Sequence, residues 1–67
     1  MNKWKFVEYL NKAGYTQSSY AKETSKSLTT LNRKLNGHGN FDTKEIEEFC
    51  ALCNIYDPKI MADIFLP

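Results

Sequence analysis

Apolar side chains recur at three- and four-residue spacing along most of the chain, which is the repeat of one face of an α-helix. The helices that this pattern predicts cover residues 3–13, 17–24, 28–36 and 41–54, and a short fifth one opens at residue 58. We therefore expect an all-α fold, a compact bundle of five short helices. The length of 67 residues corresponds to one small domain, residues 1–67.

The predicted core consists of the apolar positions that recur on one side of each helix. They are Phe6, Val7, Leu10, Ala13, Tyr20, Ala21, Leu31, Leu35, Ile46, Phe49, Cys50, Cys53, Ile60, Met61, Ile64 and Phe65. The aromatic residues Tyr9, Tyr15, Phe41 and Tyr56 are expected to add to this core. Leu28 either joins this core or faces outward, and the sequence leaves both open. Trp4 either packs against the domain or lies at an interface, and packing is the expected role because an indole buries a large apolar surface.

Residues with capping side chains mark the helix ends. A side-chain oxygen that can accept a hydrogen bond from the first free backbone N–H groups precedes four helices, at Thr16, Ser27, Asp42 and Asp57. Glu45 stands three residues after Asp42 and can return a bond to its backbone N–H, which completes a capping box. Gly14 is expected to end the first helix in the left-handed conformation that glycine adopts at little cost.

The formal net charge of +1 hides an uneven distribution. Residues 1–41 carry seven basic and two acidic side chains, a net charge of +5, whereas residues 42–67 carry two basic and six acidic ones, a net charge of −4. One interpretation is that the basic half meets phosphates while the acidic half stays away from them. The other is two ordinary solvated surfaces, because the sign of a charge does not identify its partner.

The residues that most often carry chemistry do not form a catalytic or metal-binding set. Cys50 and Cys53 form a CxxC pair late in a helix and on its apolar face, so we expect structural core cysteines. A structural zinc site needs about four ligands, and His38 is the only histidine. No nucleophile–base pair is evident. We therefore expect no enzymatic activity, no metal, no cofactor and no small-molecule substrate.

Hydropathy and the start of the sequence bear on the compartment. No apolar run approaches the length of about 18 residues that a membrane span needs. The sequence passes from Met1 directly into a helical pattern, without the features of a signal peptide. We expect a cytoplasmic protein without a membrane partner.

The segment of residues 17–36, QSSYAKETSKSLTTLNRKLN, predicts two short helices joined by a tight turn at residues 25–27. It resembles the DNA-binding helix-turn-helix of the lambdoid phage repressors and Cro proteins. The resemblance rests on Thr16-Gln17, Ala21, Leu31 and Asn36-Gly37. It extends across most of the chain, because the flanking helices fall where that family places them.

The turn departs from that family at three positions. The family usually has glycine and then an apolar residue where this chain has Ser25 and Lys26, and a larger apolar residue where it has Thr24. A left-handed conformation at Ser25 is expected to cost on the order of 1 kcal/mol relative to glycine.

The second helix of this segment is polar on one side and has no carboxylate, which suits an anionic groove. The residues expected to contact DNA are Gln17, Ser27, Leu28, Thr29, Thr30, Arg33, Lys34, Asn36 and His38. Arg33 is expected to fork onto guanine, Thr29 to bond a base or a phosphate, and Leu28 to touch a thymine methyl group.

The other expected contacts are with the DNA backbone. Lys34 and Asn36 are placed there by their position late in the second helix. Gln17 stands in the first turn of the first helix, where its amide and the free backbone N–H groups can hold a phosphate; its alternative role is that of an exposed helix former. His38, in the loop of residues 37–40, reaches a phosphate or contacts nothing.

These expectations favour a sequence-specific transcriptional regulator of phage or mobile-element type, which binds a double-stranded DNA operator and represses by excluding polymerase. A homodimer is expected, since one recognition helix reads few base pairs and a two-fold pair reads a palindrome. The apolar end of the sequence, Ile64, Phe65 and Leu66, is the expected subunit contact, because at least one of Phe65 and Leu66 is expected to be exposed in a monomer. The alternative is a helix-turn-helix module that binds another protein, such as an antirepressor or a phage inhibitor of a host protein, and Lys26 favours it.

Overall fold

Five α-helices make up the computed structural model, which describes residues 1–66. They are α1 (Lys3–Lys12), α2 (Gln17–Glu23), α3 (Leu28–Leu35), α4 (Thr43–Leu52) and α5 (Pro58–Phe65). The predicted all-α fold is confirmed, and the helices begin and end within two residues of their expected positions. Pro67, the last residue of the predicted domain, lies outside the described residues. Within residues 1–66, none of the helices is long and apolar enough to cross a membrane.

Every helix begins at a side chain that accepts a hydrogen bond from a backbone N–H of its first turn. These N-caps are Asn2, Thr16, Ser27, Asp42 and Asp57. All but Asn2 were predicted. The capping box of Asp42 and Glu45 is confirmed, with bonds of 2.8 Å and 3.1 Å. A second box joins Thr16 and Ser19 at the start of α2. The caps satisfy N–H groups that a helix leaves free, and so fix where each helix starts.

Helices α1 to α4 all end with one residue in the left-handed region. These residues and their φ angles are Gly14 (91°), Ser25 (57°), Gly37 (86°) and Asn54 (56°). The N–H that follows each of them donates to a carbonyl in the last turn of the helix, as Lys26 N does to Ala21 O at 2.8 Å. The expected conformations of Gly14 and Ser25 are confirmed. Two of the four ends therefore carry a side chain where glycine is least strained.

A cluster of aromatic rings around Phe6 forms the centre of the core. Phe6 of α1 stacks on Phe49 of α4 with ring centroids 4.0 Å apart, and both side chains are fully buried. Phe41 lies 5.3 Å from the Phe6 centroid, and Tyr20 and Phe65 each lie 6.1 Å from it. Since α1, α2, α4, α5 and the loop before α4 each contribute a ring, this cluster joins most of the chain in one core.

Trp4 and Tyr56 are exposed, whereas Ile64 lies in the core as predicted; the predicted core role of Tyr56, which is 74% exposed, is wrong. Trp4 is 74% exposed, so its predicted packing against the domain is wrong. It precedes the buried Phe6 by two residues, and side chains two apart on a helix do not share a face. Ile64 is fully buried, and its carbonyl accepts a hydrogen bond of 2.7 Å from Asn2 N. Ile64 therefore holds α5 to the start of α1, whereas Leu66 is 71% exposed, so the apolar end of the chain reaches the surface as expected.

Candidate nucleic-acid interface

The candidate interface is built on α2, α3 and the turn of residues 24–27 between them. Helix α2 packs against both α1 and α3. Tyr20 and Ala21 are buried on the inner face of α2, and Leu31 and Leu35 are buried on the inner face of α3. Burial of these four side chains fixes which face of each helix remains outside.

Hydrogen bonds of small side chains hold the turn. Thr24 donates its hydroxyl to the carbonyl of Tyr20 at 2.9 Å and closes the end of α2. The family that the segment resembles usually has a larger apolar residue at this position. Ser27 Oγ accepts a bond of 3.0 Å from Thr30 N and donates one of 2.7 Å to Thr30 Oγ1. Two of the side chains predicted to contact DNA are thus bonded to each other at the start of α3.

A buried carboxylate, Glu45 of α4, joins the turn and α3. Lys26 Nζ lies 2.5 Å from Glu45 Oε2, and 3.9 Å from an oxygen of Glu48. Lys34 Nζ of α3 donates to both Glu45 oxygens, at 2.8 Å and 2.6 Å. We call these three residues, Lys26, Lys34 and Glu45, the Glu45 triad. Lys26 therefore points inward and pairs with a carboxylate. The family that the segment resembles usually has an apolar side chain at this position.

The triad keeps Glu45 ionised although the residue is only 9% exposed. Burial raises the pKa of a carboxyl group, but hydrogen bonds from Lys26, Lys34 and the backbone N–H of Asp42 outweigh it and lower the pKa of Glu45 to about 2. A buried carboxylate with these donors has all its strong partners within the fold. It also offsets lysine charge that would otherwise belong to the α2–α3 surface.

The outward face of α3 is exposed and free of acidic groups. Its exposed residues are Leu28, Thr29, Thr30, Arg33 and Asn36. Leu28 is 39% exposed, which places it outside the core. Arg33 forms no ion pair within residues 1–66, so its guanidinium donors are available to a ligand. This face offers a fork of N–H donors, hydroxyl groups, an amide and an apolar side chain on one helix.

The remaining predicted site residues lie at the edges of this face or below it. Lys34 is half-buried and its amine is held by Glu45. Gln17 is half-buried at the first position of α2. His38 is exposed, and its backbone N–H donates to Arg33 O at 2.8 Å. With Gly37 left-handed before it, the loop closes the carboxyl end of α3.

Lys3 is a neighbour of α3 that the sequence pattern did not indicate. Its Nζ donates to Asn36 Oδ1 at 2.9 Å, across 33 positions of sequence. The same amine lies 5.3 Å from the centroid of the Trp4 ring. The start of α1 therefore adds a cation beside the carboxyl end of α3. The only signal for it was the general excess of basic residues in the first half of the chain.

Cys50 and Cys53 are buried free thiols, as expected of core cysteines. Burial raises the pKa of both, and that of Cys53, which also faces Cys50, reaches about 11. Thiols of this kind are poor nucleophiles at neutral pH. In the part of the chain that the structure describes, no group of three or more His, Cys, Asp or Glu residues is placed to hold a metal ion.

Comparison with known proteins adds no identification. No protein-family model, curated protein or solved structure matches the chain.

Proposed function

We propose that this protein is a sequence-specific regulator of transcription that binds double-stranded DNA through α3. The observation that carries the proposal is the outward face of α3: exposed, without a carboxylate, and with Arg33 free of ion pairs within residues 1–66. The major groove of DNA admits one α-helix and presents acceptors and methyl groups that differ among base pairs. The exposed side chains of α3 include hydrogen-bond donors for such acceptors and an apolar group for such methyl groups.

Arg33 has the central role in this proposal. Its guanidinium can donate two parallel hydrogen bonds to the O6 and N7 atoms of guanine, the commonest specific contact between a side chain and a base. Thr29 can bond a base or a phosphate, and Leu28 can contact a thymine methyl group. Thr30 and Ser27 are bonded to each other, so they contribute one shared hydroxyl pair at the start of the helix.

Phosphate contacts flank the reading face. Asn36 and Lys3, which are hydrogen-bonded to each other, would meet the DNA backbone beyond the carboxyl end of α3. Gln17 would do so at the start of α2, and His38 from the loop. Lys34 was expected in the same role, but Glu45 holds its amine, so we assign Lys34 to orienting α3.

Occupation of an operator that overlaps a promoter excludes polymerase, and this is the mode of repression that we propose. One helix reads only a few base pairs, so the operator is a palindrome bound by two copies, in the cytoplasm. The alternative, binding to another protein, was favoured by the lysine in the turn. Lys26 is paired with Glu45 and closes the turn internally, so it gives no reason to prefer that alternative.

Salt-dependent binding to duplex DNA tests this proposal. Each phosphate neutralised by a side chain contributes about −0.9 to the slope of log K against log salt. With Arg33, Lys3 and few other cations in reach, we expect a slope of roughly −2 to −4 per copy. Binding that is sequence-independent at all salt concentrations, or no binding at low salt, would overturn the proposal and leave the protein-binding alternative.

A further inference from the structure

We propose that the start of α1 makes a second contact with DNA, on the sugar–phosphate backbone that flanks the groove occupied by α3. Three consecutive residues would make this contact, Lys3, Trp4 and Lys5, which we call the Trp4 patch. The inference rests on the proposed binding of duplex DNA, but it concerns a contact that adds affinity without reading sequence. Its failure would leave the reading of bases by α3 intact.

The exposure of Trp4 is the first observation. Trp4 is 74% exposed and lines a shallow depression at the start of α1, with Leu66 at its border. An indole is a rigid apolar plate that carries one N–H donor. The DNA backbone offers the matching groups, because its deoxyribose rings are partly apolar and its phosphate oxygens accept hydrogen bonds. Trp4 can therefore pack on a sugar and donate to a neighbouring phosphate.

The charge around Trp4 favours an anionic partner. Lys3 and Lys5 form no ion pair within residues 1–66, and the hydrogen-bond acceptor of Lys3 is the neutral amide of Asn36. Asp63 lines the same depression, so two lysines stand against one carboxylate and the surface is net basic. Lys3 Nζ also lies 5.3 Å from the centroid of the Trp4 ring, which presents a cation and an aromatic face together.

The position of the Trp4 patch favours duplex DNA over other anionic partners. The Lys3 amine donates to Asn36 Oδ1 at 2.9 Å, and Asn36 is the exposed C-cap of α3. The patch is therefore continuous with the carboxyl end of the candidate reading helix. The major groove is about 12 Å wide and is bounded by the two phosphate backbones. With α3 in the groove, a basic surface beside one end of the helix lies next to one of these backbones.

The fluorescence of Trp4, the only tryptophan of the sequence, tests the contact directly. The natural chain is titrated at low salt with a duplex selected from random sequences and with a scrambled duplex, while the anisotropy of the labelled duplex measures binding. We expect Trp4 emission to change in step with binding to both duplexes, since a backbone contact does not depend on sequence.

Three outcomes of this titration would overturn the proposal. Binding by anisotropy with unchanged Trp4 emission would remove the contact and leave the function proposed for α3. Absence of binding to either duplex would overturn both proposals. Emission that responds to vesicles of phosphatidylserine and phosphatidylcholine, but not to DNA, would assign the Trp4 patch to a membrane surface.

Substitutions separate this contact from base reading. Trp4→Ala and Lys5→Ala should each weaken binding to the selected and the scrambled duplex by the same factor, at least about threefold. Lys5→Ala should also reduce the salt slope by about 0.9, whereas Trp4→Ala should leave the slope unchanged. Tyr56→Ala is the matched control, because Tyr56 is an equally exposed aromatic residue outside the patch. Circular dichroism checks that each variant stays folded. Equal effects of Trp4→Ala and Tyr56→Ala, or a loss confined to the selected duplex, would contradict a backbone contact at Trp4.

Discussion

Lys34 Nζ lies 2.6 Å from a carboxylate oxygen of Glu45, which joins the candidate DNA-reading helix α3 to the first turn of α4. Lys26 reaches the same carboxylate from the turn before α3, and the backbone N–H of Asp42 donates to it from the N-cap of α4. The buried side chain of Glu45 thus holds both the turn before α3 and the last part of α3 against α4. The orientation of Arg33 relative to the rest of the fold depends on this arrangement.

Glu45→Gln should destabilise the protein by on the order of 2–3 kcal/mol at pH 7. The amide oxygen can still accept from Asp42 N, but two half-buried lysine amines lose their counter-charge. Glu8→Gln is the control, because Glu8 pairs with Lys12 at the surface, where both side chains are at least half exposed. Its effect should stay below about 0.5 kcal/mol. Urea denaturation of both variants measures the difference, and equal effects would mean that the triad contributes no more than a surface pair.

The stability difference between the natural chain and Glu45→Gln should depend on pH in a defined window. The pKa of Glu45 falls from an ordinary value of 4.5 to about 2 on folding, so its contribution is fully present above pH 4.5 and is lost as the pH falls towards 2. Denaturation curves at several pH values between 7 and 2 check this. A difference that persists unchanged at pH 2 would show that the charge of Glu45 is not its source.

Ser25→Gly should stabilise the protein by up to about 1 kcal/mol, because Ser25 has a φ of 57° at the end of α2. Asn54→Gly, at a φ of 56° after α4, should stabilise less, since asparagine tolerates this region better than serine. Ser18→Gly, at an exposed position in the first turn of α2, should destabilise by up to about 0.5 kcal/mol. The order of the three midpoints in thermal denaturation is the test, and a destabilised Ser25→Gly would contradict it.

Cys53→Ala should lower stability by about 1–3 kcal/mol through loss of buried volume, and Cys50→Ser by a similar amount through a buried hydroxyl. Neither the natural chain nor these variants should respond to a chelator or a reductant. Metal analysis of the purified protein and melting with and without chelator make the check. Stoichiometric zinc would show that the two thiols are ligands rather than core residues.

The helix ends could be predicted because capping is local. Thr16, Ser27 and Asp42 each bond a backbone group three residues ahead, and the left-handed Gly14 directly follows the C-cap of α1. Such interactions depend on neighbours in sequence, so a short segment contains all the information needed. The inward stripe of α3, Leu31 and Leu35, was predictable for the same reason.

The Glu45 triad could not be predicted in the same way. Lys26 and Lys34 lie 19 and 11 positions from Glu45, and only the packing of the turn against α4 brings them together. One sequence feature did indicate such a pair: Lys26 occupies a turn position at which the family that it resembles has an apolar residue. A lysine that points inward at that position needs a counter-charge. Without that partner in view, the position of Lys34 late in a polar helix predicts a contact with DNA. The prediction for Trp4 was wrong because it rested on the size of the indole, whose large apolar surface favours burial, and not on its position in the fold.

Arg33 provides the sharpest test of DNA reading, using binding isotherms on a duplex selected from random sequences. Arg33→Ala should lose about 1–3 kcal/mol on the selected site and relax the preference at one base pair, with little loss on a scrambled duplex. Lys59→Ala removes the same charge from exposed Lys59 on α5 and should change neither affinity. Selective loss with Arg33→Ala alone is the expected result; a chain that selects no sequence, or an Arg33→Ala variant that binds as the natural chain does, would contradict it.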